Sequence, residues 1–377
     1  MKNIALLGST GSIGVQTLNV CRRHPEKFNI VSLSAGNNQS LLLDQVKEFL
    51  PAVATLGKEF EGQLPKSNTE FYFGEDAFLK AIIDKADIVV VALVGFKGLL
   101  AVLKAIEMGK TIALANKESL VVGGELVTKL AKQKGVNIYP IDSEHSAIWQ
   151  ALGCDYNTPF NKLILTASGG AFRDYDIKSL KNVTAKDALK HPNWDMGAKI
   201  TIDCATMVNK AFEVIEAKWL YGAPYDKIDV IIHRESIIHS MVEFLDSSVI
   251  AQMSYPSMEL PISLALSYPE RITTDIKSLD FATIKSLTFT GMDKAKYPCF
   301  DLVLKSAKAG GTATAIINGA NEVAVKLFLQ NKISYLDIFK ALDGALNAIE
   351  IESIKDAQTL ISADRTAREY VKSLFGV

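Results

Sequence analysis

Two carboxylates lie two residues apart where an apolar stretch ends. Asp142 and Glu144 follow residues 138–141, which have the composition of a strand. In an extended chain this spacing turns both side chains to the same side, and a cation between them would offset the repulsion of two neighbouring anions. The pair alone is equally compatible with a solvated strand end.

A third carboxylate, Glu213, belongs to a segment with a helical pattern. Lys210 lies three residues and Asn209 four residues before it, so in a helix all three side chains share one face. Carboxylate oxygens without clustered Cys or His favour a hard divalent ion, Mg²⁺ or Mn²⁺, over zinc. The three carboxylates are therefore candidate ligands of one such ion.

A glycine-rich turn near the N-terminus points to a second binding function. Residues 3–7 form a short apolar run that leads into Gly8, Gly11 and Gly14, and a helical pattern continues through Arg23. Strand, glycine turn and helix make the nucleotide-binding unit of a doubly wound fold, in which the helix N-terminus offers free N–H groups to a pyrophosphate. The Gly-x-x-Gly-x-x-Gly spacing is a variant of the commoner motif, and a plain turn between strand and helix is the alternative.

The end of the second predicted strand bears on the choice of cofactor. Residues 28–34 predict this strand, and Gly36, Asn37 and Asn38 follow it. A cofactor with a free 2′-hydroxyl usually meets Asp or Glu at this position, and neither is present. The site therefore favours NADP over NAD, although no Arg or Lys stands here to bind a 2′-phosphate.

The remaining N-terminal segments predict a parallel sheet. Strands at 86–93 and 111–115 alternate with helices, one of which shows the apolar period over residues 99–106. This alternation indicates a parallel sheet, whose ligands bind beyond the carboxyl ends of the strands. Lys117 follows a strand in this way, so it either faces a substrate anion or is solvated.

Two further loops could take part in binding. Residues 162–167 predict a strand that enters the turn 168–170, where Ser-Gly-Gly offers a hydroxyl and backbone N–H groups to a phosphate or forms a simple turn. The loop 191–197 is bracketed by proline and glycine and contains Trp194 and Met196. It is either a lid that excludes water during chemistry or a loop whose Trp packs into the core.

The rest of the chain predicts a second sheet and a helical end. Short turns separate three strands of a mixed or antiparallel sheet, at 228–233, 240–245 and 249–254. An irregular connector is expected over 269–296. The apolar period and capping signals predict helices at 205–217, 258–266, 312–329, from 334 onward, and at 364–374.

Composition excludes several classes of protein. The 41 basic and 42 acidic residues nearly cancel, which leaves no electrostatic footprint for nucleic acid or an anionic membrane. The four cysteines, Cys21, Cys154, Cys204 and Cys299, are scattered and predict reduced thiols rather than a disulfide framework or a zinc site. We find no signal segment and no apolar run of membrane-spanning length, so we expect a cytoplasmic protein.

Six motifs occur in an order that resembles the 1-deoxy-D-xylulose 5-phosphate reductoisomerase family. They are residues 8–14, 114–119, 142–145, 168–170 and 191–194, and Asn209-Lys210 with Glu213. The resemblance covers essentially the whole chain, including residues 297–299. It implies metal-dependent rearrangement and NADPH reduction of 1-deoxy-D-xylulose 5-phosphate to 2-C-methyl-D-erythritol 4-phosphate, a step of non-mevalonate isoprenoid biosynthesis.

The resemblance also assigns roles to residues of this chain by position. The implied metal ligands, for Mn²⁺ or Mg²⁺ with Co²⁺ as a further candidate, are Asp142, Glu144 and Glu213. These three and Lys117 are the implied catalytic residues. The implied NADPH contacts are Thr10, Gly11, Ser12, Ile13, Gly36, Asn37, Asn38, Asn116, Glu118 and Gly197. The implied substrate contacts are Lys117, Ser143, Glu144, Ser168, His191, Trp194, Cys204, Asn209, Lys210 and Glu213.

Two positions depart from the family pattern. Ser168, Cys204, Asn209 and Lys210 are the residues implied to surround the substrate phosphate, and relatives carry Ser where this chain has Cys204. Some relatives carry Lys where this chain has Asn37. The first departure affects one hydrogen bond to the phosphate, and the second affects the site for the 2′-phosphate.

The implied architecture is α/β and has three domains. An N-terminal doubly wound, Rossmann-like NADP-binding domain covers 1–141, an α+β catalytic and metal-binding domain 142–270, a connector 271–297, and a small α-helical domain 298–377. The family further implies a homodimer that acts on a sugar phosphate. Two other classes remain open: an ordinary NADP-dependent dehydrogenase, and a noncatalytic nucleotide sensor with the same fold.

Overall fold

The computed structural model describes residues 1–194 and 196–377, and it divides into two compact units. The first unit contains Met1–Ser119, Val127–Ser146 and Ser257–Ile276. The second unit contains Leu120–Leu126, Ala147–Pro256 and Lys277–Val377. Each unit is defined by the contacts among its residues, and each is made of three separate segments of the chain. The three domains and the connector expected from the sequence follow chain order, and that division stays a prediction.

Strands and helices alternate through the first 151 residues, as the sequence predicts. The elements are β1 (Lys2–Leu7), α1 (Ser12–Arg23), β2 (Phe28–Ala35), α2 (Gln39–Phe49), β3 (Val53–Leu56), β4 (Glu70–Phe73), β5 (Ile88–Val91), α3 (Lys97–Glu107), β6 (Thr111–Leu114), α4 (Glu118–Lys134), β7 (Ile138–Pro140) and α5 (Ser143–Ala151). Strands β3 and β4, of four residues each, were not predicted from the sequence.

The first unit is organised around a parallel sheet of seven strands. Its order is β4-β3-β2-β1-β5-β6-β7, and every neighbouring pair is parallel. The central strands are continuous apolar runs, such as Ile88–Val91, because a parallel sheet is covered on both faces. Changes of direction in the strand order place the ends of β1 and β5 side by side, where such folds bind ligands. The predicted Rossmann-like fold is confirmed.

The elements from residue 162 onward build the mixed sheet and the helical end. They are β8 (Lys162–Ala167), α6 (Ala185–Ala188), α7 (Ala198–Thr206), α8 (Val208–Tyr221), β9 (Ile228–Ile232), β10 (Ile238–Glu243), β11 (Val249–Met253), α9 (Glu259–Ser267), α10 (Phe281–Ile284), β12 (Thr290–Gly291), α11 (Pro298–Ala309), α12 (Ala313–Leu329), α13 (Tyr335–Ala348) and α14 (Ala357–Leu374). Of these, α9 belongs to the first unit.

The second unit contains a sheet of five strands in the order β11-β10-β8-β9-β12. Strands β8 and β9 are parallel, and the other pairs are antiparallel, so of the two predicted forms the mixed one is correct. Strand β12 and helix α10 lie within 269–296, which the sequence predicted as irregular. The outermost long strand, β11, carries half-exposed Val249 and Ile250.

Three helix boundaries correct the sequence prediction. The helix expected over 205–217 is two helices, because Met207 adopts a left-handed conformation (φ 62°) between α7 and α8. Helix α5 begins at Ser143, directly after β7, so Glu144 is helical rather than extended. Helix α14 begins at Ala357, seven residues before the predicted start, and the Asp356 side chain caps it.

The C-terminal helices pack around α12, most of which is buried. The Asn321 side chain donates to Asp203 of α7 (Nδ2 to Oδ1, 2.8 Å) and Asn318 donates to Asp364 of α14 (Nδ2 to Oδ1, 3.1 Å). Both asparagines therefore link α12 to a neighbouring helix. Among the described residues, we find no helix with the length and apolar character needed to cross a bilayer.

Candidate active site

The first two candidate metal ligands lie at the junction of β7 and α5. Asp142 stands in the link, and its Oδ1 accepts a hydrogen bond from the Ser143 backbone N–H (3.0 Å). Glu144 lies in the first turn of α5 and accepts a hydrogen bond from the Ser143 hydroxyl (2.5 Å). The argument that an extended chain aligns the two carboxylates was wrong, since the chain turns into a helix between them.

Lys117 stands immediately before α4, in the loop after β6. Its Nζ lies 2.9 Å from Oδ2 of Asp142, and only 9% of the lysine side chain and 19% of the aspartate side chain are exposed. The solvated alternative for Lys117 is therefore wrong. The ammonium balances the charge of one candidate ligand, so Asp142 already has a cation beside it.

Glu213 is 1% exposed and lies on α8 with the two residues predicted to share its face. The Asn209 amide donates to Oε1 of Glu213, and the Lys210 ammonium donates to Oε2. Lys210 Nζ also donates to the Thr166 carbonyl in β8 (2.5 Å). The predicted common face is confirmed, and it places a buried lysine near the end of β8.

The chemistry of these donors fits a hard divalent ion. Asp142, Glu144 and Glu213 offer only carboxylate oxygens, and none of them is fully exposed. Two of these carboxylates already attract a cation: the Lys117 ammonium lies beside Asp142, and the Lys210 ammonium lies beside Glu213. Such a set suits Mg²⁺ or Mn²⁺ and does not suit a thiophilic metal.

The three glycines of the N-terminal turn differ in how closely other atoms pack against them. Gly8 has φ 90°, and an added Cβ would lie 2.3 Å from the Ala92 carbonyl oxygen; a Cβ on Gly14 would lie 2.1 Å from the Gly8 oxygen. Gly11 has an ordinary φ of −80°, and a Cβ there would meet only the Gly8 oxygen, at 3.4 Å. The outer glycines are therefore required by the fold, whereas the fold leaves open space beside Gly11.

The start of α1 is suited to an anion. Gly11 occupies the position before the helix, so no side chain caps the first N–H groups of α1. Uncapped N–H groups and the positive end of the helix dipole attract phosphate oxygens. The neighbouring Thr10, Ser12 and Ile13 were predicted to contact the cofactor, and their place in the turn is compatible with that role.

The loop after β2 is exposed, as a site for the cofactor's ribose would require. Gly36, Asn37 and Asn38 are all exposed. Asn38 caps α2, since its Oδ1 accepts from the Leu41 backbone N–H (3.2 Å). The contact of Asn37 with a 2′-phosphate stays a prediction, and this side chain carries no charge.

Asn116 and Glu118 are held together where α4 begins. The Asn116 amide donates to the Leu93 carbonyl (2.9 Å) and to Oε2 of Glu118 (2.8 Å). Its Oδ1 accepts from the Ser119 backbone N–H (2.9 Å). These bonds join the loop after β5 to the start of α4, so Asn116 has a structural role whether or not it contacts the cofactor.

The Ser-Gly-Gly turn after β8 has a left-handed backbone conformation that glycine adopts readily. Gly169 and Gly170 have φ of 83° and 68°. A Cβ on Gly170 would lie 2.4 Å from the Cys204 carbonyl oxygen, so the last turn of α7 packs directly against this turn. Cys204 therefore lies beside the turn but at the C-terminal end of a helix. It also lies four residues before Val208, where α8 begins.

His191 orients the hydroxyl of Ser168. His191 Nδ1 accepts hydrogen bonds from the backbone N–H groups of Asn193 (3.2 Å) and Trp194 (3.0 Å). The proton of the neutral ring is therefore on Nε2, which lies 3.0 Å from Ser168 Oγ and donates to it. Ser168 Oγ also accepts from the Gly170 N–H (3.2 Å), so its own hydrogen is directed toward another acceptor, such as a phosphate oxygen.

The predicted lid segment is partly anchored. Trp194 and Met196 are half-buried rather than exposed, and the Trp194 ring lies 6.2 Å from the His239 ring, edge to face. Asn193 Nδ2 donates to the Arg234 carbonyl (2.9 Å). Gly197 directly precedes α7, and Asp195 lies outside the described residues. Closure of this segment over a substrate stays a prediction.

Two residues that brace the Ser-Gly-Gly turn were missed from the sequence. The Tyr297 hydroxyl donates to the Gly169 carbonyl (3.1 Å), and Arg173 Nη1 donates to the Ser168 carbonyl (3.1 Å). Burial raises the pKa of Tyr297 to about 12, so it remains a donor. Tyr297 is 128 residues from its partner, and no local pattern links them.

Comparison with protein families gives one consistent result. Residues 4–124 match the model "1-deoxy-D-xylulose 5-phosphate reductoisomerase", residues 138–221 match that enzyme's C-terminal domain model, and residues 253–370 match "DXP reductoisomerase C-terminal domain". The chain is 47% identical to the 1-deoxy-D-xylulose 5-phosphate reductoisomerase of Geobacillus sp. (strain WCH70), over 99% of this chain and 100% of the relative. It is also 47% identical to that of Chlorobaculum tepidum, over 100% of both.

Solved structures agree with the sequence relatives. The reductoisomerase of Zymomonas mobilis in complex with NADPH is similar to this chain with a TM-score of 0.93 and 37% identity, covering 99% of each chain. A DOX-P reductoisomerase in complex with NADPH, fosmidomycin and magnesium gives a TM-score of 0.95 and 38% identity, covering 100% of this chain and 98% of that one.

Proposed function

The chain belongs to the 1-deoxy-D-xylulose 5-phosphate reductoisomerase family, and on that premise we propose which of its residues carry the reaction. The enzyme converts 1-deoxy-D-xylulose 5-phosphate to 2-C-methyl-D-erythritol 4-phosphate with NADPH and a divalent metal. The observation that carries the assignment of residues is the buried Asn209-Lys210-Glu213 face beside the end of β8. It combines a candidate metal ligand with a candidate phosphate ligand on one helix.

Asp142, Glu144 and Glu213 bind the divalent ion in this proposal. Mg²⁺ suits the oxygen donors and is present in solved relatives, and Mn²⁺ and Co²⁺ are further candidates. When bound, the ion supplies Lewis acidity to the ketone and neighbouring hydroxyl oxygens of the substrate. Lys117, now paired with Asp142, then faces those oxygens and stabilises their developing negative charge.

The substrate phosphate binds at the Ser-Gly-Gly turn. Ser168 donates its hydroxyl hydrogen to the phosphate. Because Ser168 Oγ accepts a hydrogen bond from His191, this hydrogen points away from the His191 ring. Lys210 supplies charge and Asn209 an amide, while Cys204 lines the turn through its backbone. The phosphate is remote from the reacting carbons, so its binding energy holds the sugar in a reactive geometry. Ser143 and Trp194 complete the substrate contacts.

The glycine-rich turn would hold NADPH, which would supply the hydride for reduction of the rearranged sugar. The first N–H groups of α1 would bind the pyrophosphate, and Asn37 would meet the 2′-phosphate. The carbon skeleton rearranges by retro-aldol cleavage and re-addition, which yields an aldehyde. That aldehyde takes a hydride from NADPH and a proton, giving the product alcohol and NADP⁺. Gly36, Asn38, Asn116, Glu118 and Gly197 line the rest of the cofactor site.

A single assay tests the function against both alternatives. NADPH oxidation is followed with 1-deoxy-D-xylulose 5-phosphate as substrate, with Mg²⁺, with Mn²⁺ and after chelation, and the product is identified. We expect product with either metal and none after chelation. An ordinary dehydrogenase would give a reduced sugar with the original carbon skeleton, and a sensor would give no turnover.

The metal assignment is tested by Glu213→Gln, which keeps the shape of the side chain and removes one negative charge. We expect kcat to fall about a hundredfold or more, because transition-state charge stabilisation by the metal is lost, while NADPH affinity is unchanged. Glu369→Gln on the exposed face of α14 is the matched control. Normal turnover of Glu213→Gln at low metal concentration would contradict the assignment.

We also propose that the enzyme is a cytoplasmic homodimer. Edge strand β11 supports this assembly, because its half-exposed Val249 and Ile250 and its unpaired backbone offer a pairing surface. Light scattering should give twice the chain mass, and Ile250→Lys should shift the mass toward the monomer. A monomeric wild-type protein would refute the proposal.

A further inference from the structure

The second unit contains a cavity that the proposed reaction does not use. Its volume is about 700 Å³, and it opens between the loop after Gly169 and strand β12. Gly169 of the Ser-Gly-Gly turn lines it, but none of the side chains proposed above to bind metal, substrate or NADPH does. Four cationic side chains and two carboxylates do: Arg173, Lys178, Arg234, Lys296, Asp176 and Asp293. The lining therefore carries a positive excess.

Lys296 is the most buried of the four cationic residues that line this cavity. The residue is only 8% exposed, and its Nζ donates to the Arg173 carbonyl (2.9 Å). Among the described residues it forms no ion pair with a carboxylate. An ammonium group has three donors, so two remain after this bond. Burial lowers the pKa of Lys296, although the nearby carboxylates of Asp174 and Asp293 act in the opposite direction.

The two arginines that line the cavity, Arg173 and Arg234, make hydrogen bonds or ion pairs with neighbouring residues. Arg173 Nη1 donates to the carbonyls of Ser168 (3.1 Å) and Arg234 (3.2 Å). The exposed Arg234 guanidinium is paired with Asp174, which Arg173 Nε also approaches (3.7 Å), and the Arg234 bond lowers the pKa of the Asp174 carboxyl. Guanidinium groups with fixed positions lose little freedom when they bind an oxyanion.

The carboxylates of the wall keep acceptor capacity. Asp176 Oδ1 accepts from the Ser179 N–H (2.8 Å), and Asp293 Oδ1 accepts from the Ala295 N–H (3.0 Å). Each therefore has a second oxygen for a hydroxyl donor. Bare anions would be repelled by these groups, whereas a ligand that carries hydroxyls next to its anionic group would be accommodated.

We propose that this cavity is a second ligand site, which binds a small phosphorylated polyol. Its phosphate contacts the ammonium of Lys296 and the guanidinium groups of Arg173 and Arg234. Its hydroxyls donate to Asp176 and Asp293. A dianion with three terminal oxygens can accept charge-assisted hydrogen bonds from several cationic groups at once, and the volume accommodates a compound larger than inorganic phosphate.

Calorimetric titration of the full chain with glycerol 3-phosphate and with inorganic phosphate tests the site. We expect glycerol 3-phosphate to bind more tightly than phosphate, because only it can use the two carboxylates. Lys296→Met should weaken glycerol 3-phosphate binding at least tenfold, the loss of one buried charge-assisted contact. Lys294→Met is the matched control, since Lys294 is exposed and does not line the cavity, and it should bind as the wild type does.

Two variants keep the test decisive. Lys296→Arg retains the charge and should restore binding, which separates loss of the contact from damage to the fold. If Lys296→Met does not fold, as judged by its thermal transition, Arg234→Gln, at an exposed residue of the lining, takes its place and should bind more weakly than the wild type. Absence of binding to the wild type, or binding that these variants leave unchanged, would overturn the proposal, since any remaining phosphate binding would then lie elsewhere.

Discussion

The two glycine turns of this enzyme, both proposed to bind phosphate groups, differ in the hydrogen-bond donors that they offer. The turn at 8–14 joins β1 to α1 and offers backbone N–H groups, with no side chain capping the helix. The turn at 168–170 follows β8 and is surrounded by side chains: His191 contacts the Ser168 hydroxyl, and Lys210 contacts the Thr166 carbonyl two residues upstream. One turn relies on the backbone, and the other relies on charged and polar side chains.

The difference matches the ligand proposed for each turn. A pyrophosphate inside a dinucleotide spreads its charge over two groups, so helix N–H groups and the dipole suffice. A terminal phosphate is close to a dianion, and a nearby full positive charge and a hydroxyl stabilise it more strongly. If this reasoning is right, side-chain changes should impair the second turn, whereas the first should be sensitive to backbone bulk.

The largest effect is expected for Lys210→Met. Losing a buried charge-assisted contact to the phosphate costs about 3 kcal/mol, or about a hundredfold in KM for the sugar phosphate. NADPH affinity should stay the same, because the first turn is untouched. Lys218→Met on the same helix removes a lysine that stacks on Trp219 and Tyr225 instead, and it controls for loss of charge. An unchanged KM for Lys210→Met would break the comparison.

Gly11→Ala tests the backbone turn. An added Cβ fits the fold there, since its closest atom would be the Gly8 oxygen at 3.4 Å, so thermal stability should be unchanged. If a pyrophosphate approaches this backbone, overpacking should weaken NADPH binding by about 1–2 kcal/mol, roughly tenfold. Fluorescence titration with NADPH measures it. Normal NADPH affinity together with normal stability would place the pyrophosphate elsewhere.

His191→Asn tests whether His191 orients the Ser168 hydroxyl of the second turn. The asparagine oxygen can replace Nδ1 as acceptor for the Asn193 and Trp194 N–H groups, but the bond from Nε2 to Ser168 is lost. A single neutral hydrogen bond contributes about 1 kcal/mol, so KM for the sugar phosphate should rise about fivefold. A merely structural role would lower thermal stability without raising KM. Steady-state kinetics and a melting curve distinguish the two.

The smallest effect is expected for Asn37→Lys, which adds a cation beside the backbone turn. Asn37 is exposed, so an added charge near a 2′-phosphate contributes only about 0.5–1 kcal/mol, roughly threefold in favour of NADPH over NADH. The wild type should already prefer NADPH, because no acidic residue ends β2. Equal kcat/KM for the two cofactors in the wild type would contradict the assignment.

The sequence alone determined the features that depend on near neighbours in the chain. Alternating apolar runs predicted the parallel sheet, and the spacing of Asn209, Lys210 and Glu213 predicted a common face, because helical geometry fixes which side chains three and four residues apart can meet. The order of six motifs predicted the family. Local spacing failed at Glu144 and at Met207, where the chain changed conformation within one or two residues.

Only the tertiary structure decided which distant groups meet. It paired Lys117 with Asp142, placed the Tyr297 hydroxyl against Gly169, and buried Lys296 in the lining of a cavity. These contacts join segments that are separated by tens to more than a hundred residues. Their energy comes from burial and from hydrogen bonds that the surrounding packing aligns, and neither leaves a periodic trace in the sequence.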